Sequence, residues 1–332
     1  MKEIRKSDLK VIDLVNSKKS RLQILNYGAA IFSFKMRNKH EDLINLVVGP
    51  REAEDYLSPA YREENKCFGA TIGRFAGRIA EGKFRIEDEE YKLEEVKRGF
   101  HIHGGAYGFQ YRLWEIDKIE EGENPSVTLS YTSEHLEEGY PGKLEVTAKY
   151  TLTEENEIKI SYSAKTDRDT IVNITNHSYF NLNGSGSVSD HFMQIHATKI
   201  LELNEEKLPT GNLTRLKSNP KNYIENKLLG NRELDDVYIL DVMDDEVQAQ
   251  LFAPLSGIKM KLSSNQPVLV VYSPEKLPED WTYLTEIDSS YPAVALEAQN
   301  YPDAPNFRNF PSSLLKPGDL YENNIIYAFS VK

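Results

Sequence analysis

Residues 143–166 read KLEVTAKYTLTEENEIKISYSAKT. Leu144, Val146, Ala148 and Tyr150 alternate with Lys143, Glu145, Thr147 and Lys149. After the polar TEENE the alternation resumes with Ile158, Ile160, Tyr162 and Ala164. Successive side chains of a strand point to opposite faces, so this period of two builds one apolar and one wet face. Two such runs joined by a short polar segment predict an antiparallel hairpin lying on a core. GKFRIEDEEYKLE repeats the pattern, with Phe84, Ile86, Tyr91 and Leu93 around an acidic turn, and SVTLSYTS and IIYAFSV add further strands. Helical periodicity is sparse; EAEDYL, from Glu52, suggests a turn or two.

Strand patterns continue to Val331 with turn signals between them. No internal repeat, low-complexity tract or Pro/Ser-rich linker interrupts them. The expected architecture is all-β: one large antiparallel β-sandwich of two sheets, forming a single domain over residues 1–332.

Composition narrows the partners. Lys and Arg total 40 against 52 Asp and Glu, a net charge of −12. Phosphate recognition needs clustered cations, so nucleic acid and anionic membrane surfaces are not expected partners. The one cysteine, Cys67, excludes an intrachain disulfide. Beside Phe68 it reads as a small buried hydrophobe rather than a nucleophile. No signal-like or membrane-spanning apolar run is present, so a cytoplasmic location is expected.

Four segments mix ionisable groups with Gly, Asn and aromatic residues. In FGATIGRFAGRIAEGKF, Gly69, Gly73 and Gly77 recur with Arg74 and Arg78 after two of them. An arginine held rigidly there is placed either to bind a ligand or to sit in solvent. The segment is not a phosphate loop, because no GK[ST] closes it. In HIHGGAYGFQYRLW, His101 and His103 share a strand face. They are open to three readings: a metal pair, a solvated pair, or neutral imidazoles contacting a polar ligand. VNITNHSYFNL carries His177 between Asn176 and Ser178; if the pleat holds, these neighbours point away from its ring. In LEAQNYPDAPNF the apolar run Val294, Ala295, Leu296 ends in Glu297. A carboxylate there is costly to bury unless paired, and is a candidate general base.

Together these segments resemble the aldose 1-epimerase (galactose mutarotase) family. FGATIGRFAGRIAEGKF is similar to its G-A-x-x-G-R-x-A-N-R-I-x-x-G-x-F and HIHGGAYGFQYRLW to H-x-H-G-G-x-x-G-F-x-x-x-x-W. NITNHSYFNLNG resembles N-x-T-N-H-x-Y-F-N-L-x-G, and LEAQNYPDAPN resembles L-E-x-Q-x-x-P-D-A-x-N. EGYPG and LPTG match in order between them. The resemblance implies a large β-sandwich that interconverts the α and β anomers of free aldohexoses such as galactose and glucose, with no cofactor and no metal. It places Glu297 at the base position, His177 at the acid position, and Arg78, His103 and Asp235 at sugar-binding positions. Three departures stand out. Gly77 replaces a common Asn, Asp236 follows Asp235 where the family has His, and Val270 lies where a glutamine is common.

Anomerisation opens and recloses the sugar ring, so the anomeric hydroxyl loses a proton while the ring oxygen gains one. One base and one acid suffice. On this scheme His177 acts as imidazolium, and a nearby carboxylate such as Asp235 is expected to raise its pKa. Three alternatives remain at this stage: a non-catalytic carbohydrate-binding sandwich, an epimerase for a related sugar such as maltose, and a metal hydrolase built on the histidines.

Overall fold

The computed structural model describes residues 4–94, 99–242, 244–279, 281–287 and 290–332, without the side chains of 244 and 245. Two large sheets dominate. The nine-stranded sheet runs in the order Glu115–Glu120, Ser126–Ser133, Leu144–Leu152, Glu157–Thr166, Tyr321–Val331, Ile258–Ser264, Asp244–Ala253, Phe192–Ile195, Lys227–Leu228. The seven-stranded sheet runs Pro209–Arg215, Ala197–Leu203, Leu234–Leu240, Val268–Ser273, Val294–Gln299, Tyr179–Phe180, Val47–Val48. The expected hairpin is present, with Leu144 opposite Thr166 and Leu152 opposite Ile158. Leu144, Val146, Ala148 and Tyr150 are buried, as the alternation required.

The two-sheet expectation is incomplete. Val11–Val15, Arg21–Leu25, Ala30–Arg37 and Leu43–Asn45 form a separate four-stranded sheet, and several two-stranded ribbons stand apart from all three sheets. EAEDYL forms a 3-10 turn, Ala53–Leu57, followed by one short helix, Pro59–Glu64. That helix starts on the Ser58 hydroxyl, which accepts from the Tyr61 N–H at 3.1 Å, with Pro59 in its first turn. It ends on Asn65 in the left-handed region.

The main core lies between the large sheets. Val146, Tyr150, Ile160 and Tyr162 of one belong to the same buried cluster as Leu269, Val271, Leu296 and Ala298 of the other. The pleat then sends the intervening residues Val268, Val270 and Tyr272, with Glu297 and Gln299, to the opposite face of the seven-stranded sheet. Glu297 and Gln299 are nonetheless buried, because the Gly-rich and His-Gly segments cover that face.

Candidate active site

Strand register assembles the site. Tyr179 pairs with Ala295 and Phe180 with Val294 in antiparallel sense. Continuing that register by two residues sets His177 opposite Glu297 on the same face. His177 Nε2 lies 3.4 Å from Glu297 Oε1. On the other side of Glu297 its direct partner is Val270, and the partner of Val270 is Val237. A row His177, Glu297, Val270, Val237 therefore crosses four adjacent segments. The neighbouring row is Tyr179, Ala295, Tyr272, Asp235.

His177 is held by its backbone. Its N–H donates to Ala70 O at 2.9 Å and its carbonyl accepts from the Gly69 N–H at 3.0 Å. The Asn176 amide donates to Gly69 O at 2.8 Å, and its Oδ1 accepts from both the N–H and the hydroxyl of Ser178. The polar neighbours thus fix the chain around His177 without touching the ring, as the pleat argument expected.

These groups open on a cleft of about 310 Å³, whose walls include Arg78, His103, Asp235, Tyr272, Gln299 and Pro302. All five residues singled out from the sequence line it. Arg78 lies 3.7 Å from Asp235 and over the Phe100 ring. His103 Nδ1 accepts the Gly77 N–H at 3.3 Å, so its ring proton sits on Nε2. Its ring meets that of His177 edge-on at 5.6 Å. His101 and His103 do not share a strand face, contrary to expectation. His103 leaves the strand with φ 52°. His101 stays in it, its Nδ1 2.6 Å from Glu94 O and its Nε2 2.8 Å from the Tyr140 hydroxyl. Both His101 nitrogens are occupied structurally.

Burial works against the expected imidazolium and carboxylate. Burial pushes the Glu297 carboxyl up to about 8; Asp235 adds to the rise and Arg78 opposes it. Burial likewise pulls His177 down to about 4, helped by Lys66. Asp235 does not raise the His177 pKa; it lies against Arg78, and desolvation decides. Both shifts favour a protonated carboxyl beside a neutral imidazole at neutral pH. This form carries the same number of protons as the ion pair, and one proton shift across the 3.4 Å contact interconverts them. His103 is also held neutral, by burial and by the adjacent His177 and Arg78. Two buried atoms of the pair, Glu297 Oε2 and His177 Nδ1, have no hydrogen-bond partner among the described residues. A buried polar atom left open is costly, and a ligand that meets it recovers that cost.

Other marked residues have structural roles. Arg74 is buried and donates to Pro141 O, Gly142 O, Ser133 O and Ser133 Oγ at 2.7–3.1 Å. Cys67 is fully buried, and desolvation raises its thiol far above the usual range. Asp236 points to the other face from Asp235 and pairs with Lys221 at 2.6 Å. Sequence reasoning passed over Gln299 and Tyr272. The signal for Gln299 was present: it follows Glu297 by two residues, so a strand places both on one face.

An antiparallel β-sandwich thus gathers a carboxyl–imidazole pair, an Arg–Asp pair and a second histidine in one cleft. The aldose 1-epimerase family model matches residues 10–328. The galactose mutarotase of Homo sapiens is 33% identical over 325 residues, covering 94% of this chain and 91% of that protein. The aldose 1-epimerase of Escherichia coli is 27% identical over 336 residues, covering 96% and 95%. Among solved structures, the galactose 1-epimerase of Lactobacillus acidophilus superposes with a TM-score of 0.85 at 25% identity, covering 100% of this chain and 98% of the other. The GalM/aldose epimerase homologue of C. elegans gives 0.89 at 25% identity, covering 97% and 99%. This chain belongs to the aldose 1-epimerase family.

Proposed function

We propose that the chain interconverts the α and β anomers of free aldohexoses such as galactose and glucose, with Glu297 as base and His177 as acid. The observation that carries this reading is the buried His177–Glu297 contact, each partner keeping one polar atom open. In the ion-pair form, Glu297 takes the proton of the anomeric hydroxyl while His177 gives one to the ring oxygen. The bond from C1 to the ring oxygen breaks and leaves the open-chain aldehyde. Rotation about C1–C2 turns the other carbonyl face to the C5 hydroxyl. Reclosure returns both protons, so the enzyme ends as it began. Positioned proton transfer of this kind contributes about 10²–10⁴-fold.

Arg78, Asp235 and the Nε2–H of His103 bind sugar hydroxyls in this scheme, and no cofactor or metal has a part in it. The acidic total charge favours a neutral sugar over a nucleic acid or an anionic membrane as partner. No helix among the described residues is long and apolar enough to cross a membrane. We read residues 1–332 as one β-sandwich domain acting in the cytoplasm. The family match from 10 to 328 supports the single-domain reading.

Polarimetry on freshly dissolved α-D-galactose tests the activity. The protein is expected to speed the decay to the equilibrium rotation well beyond the spontaneous rate. A carbohydrate-binding protein without catalysis leaves that rate unchanged.

A further inference from the structure

The row that carries the catalytic pair continues, on the side of Glu297 away from His177, into Val270 and then Val237. These valines are joined by Leu203, Val268 and Ile239 in one apolar cluster, and Leu203, Val237 and Val270 face the cleft. The chemistry orients the sugar along this row. The ring oxygen belongs at His177 and the anomeric hydroxyl at Glu297. Moving from the ring oxygen past C1 leads away from C5 and toward C2. The group on C2 lies beside the anomeric hydroxyl, and with the C2 edge of the ring turned to Val270 and Val237 a hydroxyl there meets C–H surface. We propose that this site turns over aldoses lacking the 2-hydroxyl at least as well as their hydroxylated parents, and that Val270 sets this property.

The inference rests on the proposed mutarotase reading and adds a substrate class to it. The energetics are asymmetric. A site built to hydrogen-bond a substrate hydroxyl rejects the analogue without it by roughly 10⁴–10⁵-fold, because its own polar group is left unpaired. An apolar wall rejects the hydroxylated sugar far more weakly, by no more than about 10²-fold. Val270 leaves no polar atom waiting for a 2-hydroxyl, so a 2-deoxy sugar loses nothing there. A glutamine at this position would bring an amide beside Glu297 and restore the penalty.

The test compares D-galactose, 2-deoxy-D-galactose and 6-deoxy-D-galactose by exchange NMR between their anomeric signals, with spontaneous rates subtracted. The ratio of kcat/KM for the 2-deoxy sugar to that for galactose is expected at about one or above, and Val270→Gln is expected to lower it by at least about tenfold. The ratio is internal to each preparation, so partial misfolding of the variant cancels. The 6-deoxy to galactose ratio should not follow it. A wild-type ratio below about one half, or a fall of less than about threefold in Val270→Gln, overturns the proposal. So does a fall in the 6-deoxy ratio in its place, which would put the valines at C6. Turnover of none of the three sugars would instead defeat the mutarotase reading itself.

Discussion

Arg74 and Arg78 sit in one glycine-rich segment, each just after a glycine, yet they are used in opposite ways. Arg74 points into the protein, and both its terminal nitrogens are fully engaged by fixed acceptors of neighbouring loops. Arg78 points into the cleft, where it lies 3.7 Å from Asp235. The histidines repeat the contrast. His101 has both ring nitrogens engaged by Glu94 and Tyr140. His177 keeps Nδ1 open and touches Glu297 at 3.4 Å. Residue type and burial do not separate scaffold from site here. Access to the cleft does: Arg74 and His101 spend their terminal or ring nitrogens on partners within the scaffold, whereas Arg78 and His177 line the cleft.

The strongest way to break this division is Glu297→Gln. Turnover should fall by roughly 10²–10⁴-fold, read by polarimetry on galactose. Stability should move the other way. The folded-state pKa of Glu297, about 8, lies above the ordinary 4.5, so its contribution to stability is lost as pH rises between those values. The amide titrates nowhere in that window, and at pH 8 the variant should unfold no more easily than the wild type. A variant that loses activity only because it unfolds would erase the distinction.

Exchanging the two arginines in turn sharpens it. Arg74→Met strands several buried carbonyls and should cost on the order of 3 kcal/mol in denaturant unfolding. Arg78→Met should leave that midpoint nearly unchanged while raising KM by roughly tenfold or more, the loss of a charged hydrogen bond to the sugar. The smallest effect is expected at Gly77. Its φ is +83°, and an added Cβ would lie 2.9 Å from Pro302 Cβ. Gly77→Ala should therefore shift the cleft wall and the N–H that fixes the His103 tautomer, changing kcat/KM by roughly three- to tenfold, with a destabilisation of about 1 kcal/mol.

Much of this was legible in the sequence, for reasons that can be named. Alternation such as Leu144 to Tyr150 is enforced by the pleat and reads directly as strand. The same period predicted that Asn176 and Ser178 would turn away from His177, and it contained the unread clue to Gln299. The motifs led to five of the residues that line the cleft. What stayed hidden depends on contacts distant in sequence. Nothing local shows that Arg74 finds its acceptors around Ser133 and Pro141, or that His101 is closed off by Glu94 and Tyr140. The direction in which burial shifts the pair is hidden for the same reason. Depth of burial is a property of the whole sandwich, and here it outweighs the charges near His177.

The pH dependence of kcat/KM for galactose mutarotation tests the central claim most directly, since the sugar does not titrate in this range. A buried pair sharing one mobile proton predicts a bell. Its acid limb falls near pH 4, where His177 gains a second proton, and its alkaline limb near pH 8, where Glu297 loses the shared one. A profile that rises through a single limb near the ordinary carboxylate pKa and stays flat beyond pH 8 would contradict it, because the resting base would then be an unperturbed carboxylate.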